Sequence, residues 1–179
     1  MSSDRLIELR LENRRLKEQV ASLESKVLSL VGAITIQSSG VFKDKKHVIN
    51  DKLLEIINSS EIQLNIVSPK IDQFYTTEIK KIAAKGIPVL IITNDRGGTS
   101  LEYQAFYDDL KATDGIKIVN NPNVRYLLVF NTKGAIYSGG ALDRQELERS
   151  ILIATIIEAR SKLKKIAEIF SMMLPSFMR

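Results

Sequence analysis

The segment LIELRLENRRLKEQVASLESKVLSL carries a leucine at every seventh position, and this repeat limits the fold more than any other feature of the chain. Leu9, Leu16, Leu23 and Leu30 form one row, and Leu6, Asn13, Val20, Val27 and Ile34 form the row three residues ahead of it. Apolar residues spaced 3.5 apart make a narrow seam on a helix, which a second helix winding around the first can bury. The two rows are therefore the d and a positions of a coiled coil. Valine or isoleucine at a with leucine at d favours two parallel strands, and Asn13 sharpens that reading. A buried asparagine weakens the seam, but it pairs with its own copy when parallel helices are in register. The flanking charges decide little, giving one attractive interchain pair, Glu12 with Lys17, and one repulsive pair, Arg5 with Arg10. A single amphipathic helix packed on its own domain is the alternative, although five heptads broken only by Asn13 exceed what such a helix needs. The expectation is a coil over residues 1–34 and a parallel homodimer held by Leu6, Leu9, Asn13, Leu16, Val20, Leu23, Val27 and Leu30.

A chain of 179 residues has room for that helix and one domain of ordinary size. It contains no cysteine, which excludes disulfides and thiolate metal sites. No residue pattern calls for a metal or a cofactor. The sequence has no uncharged apolar run of the ~18 residues a membrane span requires. Asp4, Arg5, Glu8 and Arg10 also deny the N-terminus the apolar core of a signal peptide. The expectation is a soluble cytoplasmic protein with no membrane partner. The net charge of +5 comes from 26 basic and 21 acidic residues, which describes a mixed, solvated surface more than a polyanion binder.

Beyond Gly32 the seven-residue period fails, and SSGVFKD (residues 38–44) reads as the end of a linker over 35–44, with the domain following at 45–179. Helical spacing predicts a helix over 45–58 and another over 77–84, the second stopping at Gly86. IQLNIVS (62–68) alternates like a strand, and IPVLIIT (87–93) is apolar enough for a strand buried on both faces. A helix over 100–112 precedes strands at IKIV (116–119), RYLLVFN (125–131) and AIYSG (135–139), and a long helical region is expected from Arg144 to about Leu174. Strands alternating with helices predict an α/β domain built on a mixed central sheet.

The order of these elements resembles a single phospholipase D-type domain. EIQLNIVSPKIDQFYTTEIKKIAAKGIPVLIIT is similar to the first half of that family, and VRYLLVFNTKGAIYSGGALD resembles the region that in active members holds a His-x-Lys, an aspartate and a Gly-Ser-x-Asn segment. That resemblance places Val124 at the nucleophilic histidine, Tyr126 at the phosphate-binding lysine and Asn131 at the aspartate. Valine can neither attack phosphorus nor protonate a leaving group, so no catalytic residue is expected. A shift of one residue would put Arg125 in the lysine's place, which retains phosphate affinity but supplies no nucleophile. The single histidine, His47, lies in the first predicted helix of the domain with no acid or base pattern around it. Within the superfamily the chain resembles the coiled coil and effector-binding domain of archaeal TrmB-type transcriptional regulators, without room before Leu6 for their DNA-reading winged helix.

Two function classes stay open. One is a non-catalytic regulatory or scaffold dimer whose degenerate domain binds a small molecule or a protein. Its expected pocket lies at the carboxyl ends of the strands, with Ser68, Lys70, Asn94, Arg96, Arg125 and Ser138. The other is a nucleic-acid-binding protein using two basic clusters, Arg10, Arg14, Arg15 and Lys17 on the coil and Arg160, Lys162, Lys164 and Lys165 on the last helix. Solvated helix faces explain the same charges, since Glu8, Glu12 and Glu18 interleave with the first cluster. NDRGGTS (94–100) follows a strand and precedes a helix, where backbone amides can cradle an anion, but it matches no phosphate-loop fingerprint and reads as an ordinary turn.

Overall fold

The computed structural model describes residues 12–15, 18, 33–37 and 48–176, and the chain divides into two units, Met1–Ala33 and Ile34–Arg179. In the first unit residues 12–15 and 18 are helical, and Arg14 meets Glu18 at 3.4 Å one turn on. Asn13 is among them; Leu6, Leu9, Arg10, Leu16, Lys17, Val20, Leu23, Val27 and Leu30 lie outside the described residues, as does His47.

The second unit is built on a seven-stranded sheet of order β1-β7-β6-β5-β2-β3-β4. Its strands are β1 (Ala33–Gln37), β2 (Leu64–Ser68), β3 (Val89–Thr93), β4 (Ile116–Asn120), β5 (Leu127–Phe130), β6 (Ala135–Ser138) and β7 (Leu152–Ile157). β2, β3 and β4 run parallel, while β5, β6 and β7 add antiparallel to the other side of β2. The sheet is mixed, as expected. The helices are α1 (Val48–Asn58), α2 (Gln73–Ala84), α3 (Leu101–Lys111), α4 (Arg144–Arg149) and α5 (Arg160–Met172).

Side chains alternate across a strand, and both faces of the central strands are apolar, so each face has its own core. On one face Leu64, Ile66, Val89, Ile91, Leu127 and Val129 pack with Leu53 and Ile57 of α1, Ile79 and Ile82 of α2, Leu110 of α3 and Leu147 of α4. On the other, Val67, Ile92, Val119, Leu128 and Phe130 meet Leu163, Phe170 and Leu174 from α5 and its end. α2 ends as its sequence predicts: Gly86 takes φ +78, a conformation that side chains with a Cβ avoid, and its N–H reaches the Ala83 carbonyl at 2.8 Å.

Two stretches depart from expectation. The helical region over 144–174 is broken, because Ser150 turns extended at ψ 151 and LIATII runs as β7 against β6. Four of those six residues are β-branched, which lose rotamer freedom in a helix and pack well on a pleated sheet. For the same reason AITIQ at 33–37 is a strand, in place of the last heptad residue, Ile34, and the start of a linker.

Candidate functional site

Two loops meet at the carboxyl end of β2, and their hydrogen bonds shape the crevice there. Ser68 is fully buried; its Oγ donates to the Lys70 carbonyl at 2.5 Å and accepts from the Leu142 N–H at 2.8 Å. The Asp72 N–H bonds to the Leu142 carbonyl at 3.0 Å, and the Asp72 carboxylate caps α2 at Tyr75 N (2.8 Å) while accepting from Arg144 N (2.7 Å). The loop after β2 and the loop after β6 are thus cross-braced through the main chain. Burial raises the Asp72 pKa, with the two backbone donors opposing it.

Over this brace sits a charged relay. Lys70 Nζ donates to Tyr103 Oη at 3.2 Å, the Tyr103 hydroxyl donates to Asp143 Oδ2, and the ammonium also lies 2.9 Å from Glu146 and 3.3 Å from Asp143. The same ammonium stands 4.5 Å from the centre of the Tyr103 ring. Burial works against the Lys70 charge, but the bonds to Glu146 and Tyr103 outweigh it and hold the pKa well above the ordinary lysine value. Burial likewise opposes charge on Asp143, yet the Tyr103 hydroxyl, the Glu146 N–H and Lys70 together hold its carboxyl below the usual range. Tyr103 is pushed up, first by burial and then by its bond to Asp143. Behind the relay a cavity of about 20 Å³ is lined by Lys70, Thr93, Asn94, Tyr103 and Tyr107, among others. Asn94 Oδ1 is buried with no hydrogen-bond partner among the described residues. In front of it opens a polar crevice of about 480 Å³ with Phe74, Glu102, Tyr103, Phe106, Arg144 and Arg149 on its walls.

Of the six residues expected to share a pocket, Lys70 and Asn94 line the same cavity and Ser68 bonds to the Lys70 carbonyl. Arg96 instead forms a two-pronged ion pair with Asp108 of α3 at 2.7–3.0 Å, from a loop that folds as a short 3₁₀ turn. Arg125 turns back on the Pro122 and Val124 carbonyls, each at 2.8 Å, and Ser138 is buried with its hydroxyl on the Ile153 carbonyl. Tyr103, Asp143 and Glu146 join the site without having been expected there. The Asp143-x-x-Glu146 spacing before a helix carries a capping signal, and Asp143 does accept from Glu146 N at 2.9 Å.

The positions that match catalytic residues in the phospholipase D pattern have other employment. Val124 is buried in the α5-side core, and the Tyr126 hydroxyl reaches Met173 Sδ at 3.3 Å while its ring lies tilted against Tyr137, 5.5 Å between centres. Asn131 is buried and saturated. Its Nδ2 donates to the Ile56 carbonyl at 2.6 Å and to Ser59 and Ser60 hydroxyls, and its Oδ1 accepts from the N–H groups of Lys133 and Gly134. Beyond Tyr126, the same sheet face runs out from under α5 with Tyr137, Ile151 and Ile153 exposed.

No family model and no curated protein matches this sequence, but solved structures do. NucT from Helicobacter pylori is 13% identical with a TM-score of 0.64, covering 79% of this chain and 93% of its own. The phospholipase D family member Nuc from Salmonella typhimurium is 13% identical with a TM-score of 0.59, over 78% and 93% of the two chains. The domain therefore has a phospholipase D-like fold. TrmBL2, an archaeal chromatin protein with a novel mode of DNA binding, is 12% identical with a TM-score of 0.52, over 94% of this chain and 63% of that one. A phospholipase D-like domain resembling TrmB-type proteins is what the fold defines. Among the described residues no helix is long and apolar enough to cross a membrane, and no group of three or more histidine or carboxylate side chains is placed to hold a metal.

Proposed function

We propose that this protein is a non-catalytic regulatory or scaffold protein of the cytoplasm, a pseudoenzyme that dimerises through its heptads and binds a small ligand or a protein partner with its phospholipase D-like domain. The observation that carries this reading is the use made of Asn131. Its amide donates to a main-chain carbonyl at 2.6 Å, a bond that a carboxylate cannot make, so the position serves the β5–β6 turn and not an imidazole. With valine at 124 and tyrosine at 126, the constellation supplies no nucleophile and no cation for a phosphoryl group.

The ligand-binding crevice is the one around Lys70, Tyr103, Asp143 and Glu146, at the carboxyl end of a parallel strand beside an antiparallel neighbour, where the chain direction in the sheet changes. Aromatic edges with carboxylates, amides and arginines around about 480 Å³ favour a polar organic molecule over an apolar one. Turnover of bis(p-nitrophenyl) phosphate tests the reading. The purified protein should leave it intact, and a rate that survives purification and vanishes with Tyr126→Ala would refute the pseudoenzyme.

A further inference from the structure

A second concave surface lies at the opposite end of β2 from the crevice. It is a groove of about 590 Å³ between the residues before β2, the β5–β6 turn and the first two turns of α5. Its apolar lining is Ile62, Phe130, Leu163 and Ala167, and its rim carries Lys133, Arg160 and Lys164. Among the described residues no acidic side chain lines it. Lys133 is paired with Glu61, outside the groove, while neither Arg160 nor Lys164 has an ion pair among the described residues.

The basic cluster of the last helix is thereby divided. Residues 160, 163, 164 and 167 fall on one helical face, so Arg160 and Lys164 stand over the groove one turn apart. Lys165 turns instead to Glu168 at 3.3 Å. The polar walls are side-chain amides. Gln63 Nε2 bonds to Asn65 Oδ1 at 2.6 Å, which leaves the Gln63 carbonyl and the Asn65 N–H groups without a partner among the described residues.

Cations at a helical-turn spacing, an apolar floor between them and free amides on the wall together describe one class of polyanion. We infer that this groove binds single-stranded nucleic acid, with Arg160 and Lys164 on successive phosphates and an unstacked base against Ile62 and Leu163. A duplex offers phosphates to the rim but keeps its base faces stacked, so the apolar floor would go unused. An acidic peptide satisfies the cations and leaves the amides without base edges to read.

The test uses the full chain and a labelled unpaired oligonucleotide of about 16 nucleotides, within the site sizes of single-strand grooves, with fluorescence anisotropy followed across a salt series. The strand should bind more tightly than its duplex. Arg160→Gln with Lys164→Gln should lower the slope of log K against log salt by about 1.4, at ~0.7 for each phosphate of a single strand that is no longer neutralised. Lys165→Gln should leave that slope unchanged. Ile62→Ser should weaken binding at an unaltered slope, a separation that a purely electrostatic surface would not show. The inference fails if no strand binds at low salt, if the duplex is preferred, if the double variant keeps the parental slope, or if polyglutamate competes as well as the strand. None of these outcomes bears on phosphodiester turnover.

Discussion

Asn131 and Ile56 stand 75 residues apart and are joined by the side-chain amide of one and the carbonyl of the other at 2.6 Å. The bond ties the β5–β6 turn to the last turn of α1, where the Ser59 and Ser60 hydroxyls also donate to the Ile56 carbonyl, each at 3.1 Å. Asn131 also holds the turn itself, accepting from the N–H groups of Lys133 and Gly134.

Replacing Asn131 by aspartate should therefore destabilise the domain, although the two side chains have the same shape. An aspartate would set a carboxylate oxygen against the Ile56 carbonyl in a buried site, at a cost of about 3 kcal/mol, the upper end for an unsatisfied buried group. Asn131→Ala, which removes both the donor and the acceptor, should cost about 2 kcal/mol on the same scale. Urea denaturation of the two variants checks the order, and a stable Asn131→Asp would remove the structural role assigned to the amide.

The relay at Lys70 gives the domain an acid-sensitive brace. The folded-state pKa of Asp143 is held below its unfolded value of ~3.9, so its contribution is complete above that pH and is lost as pH falls through the folded value. Asp72 acts in the opposite sense, because a raised carboxyl pKa makes its folded charged form less favourable at neutral pH and relieves the fold on acidification. Stability measured between pH 6 and about pH 3 should fall less steeply in Asp143→Asn than in the parent. Tyr103→Phe removes the hydroxyl that links lysine to aspartate and should flatten the same limb in part.

Helix α5 begins badly. Its N-cap is Ala159, which offers no side-chain acceptor, and its first turns carry Arg160, Lys162, Lys164 and Lys165 against the positive end of the helix dipole. Ala159 already has the extended φ −67, ψ 120 that a capping residue adopts. Ala159→Asp should raise stability by about 1 kcal/mol through the missing cap, or about 2–4 °C in Tm for a chain of this size. Calorimetry measures the gain directly; no gain would mean that the first turn is held by something other than its backbone.

What the sequence discloses of this fold follows periodicity and local chemistry. IPVLIIT announces a doubly buried strand because every side chain in it but the last is apolar, and Gly86 announces the end of α2 because the turn needs a positive φ. β7 is hidden because IATIIEARSKLKKI also satisfies a helical pattern, and only pairing with β6 decides for a strand. At the crevice, Ser68 and Lys70 are visible from their place after a strand. Tyr103 and Asp143 are not, since the bond that joins them spans 40 residues and no local spacing encodes it. Arg96 and Arg125 draw notice as cations at strand ends, but each finds an acceptor nearer than the crevice, Asp108 for one and main-chain carbonyls for the other.

The last prediction concerns the heptads. If Asn13 pairs with its own copy across a parallel, in-register coil, the two residues at position 13 face each other within the roughly 7 Å between Cα atoms that a disulfide can span. An antiparallel pair would set position 13 against residues well along the partner helix, at ~1.5 Å for every residue of offset. The chain has no cysteine, so Asn13→Cys introduces a single thiol with no competitor. On mild oxidation it should convert to a covalent dimer without loss of material to larger species, while a cysteine placed at Glu12, outside the a and d rows, should cross-link more slowly. Asn13→Val, in turn, should raise the melting temperature and broaden the distribution of oligomers seen by light scattering, since an amide at an a position of such a seam sacrifices stability for a fixed register. A parent chain that is monomeric at micromolar concentration, or an Asn13→Cys variant that stays uncrosslinked while dimeric, would show that the leucine rows do not form a parallel two-stranded seam.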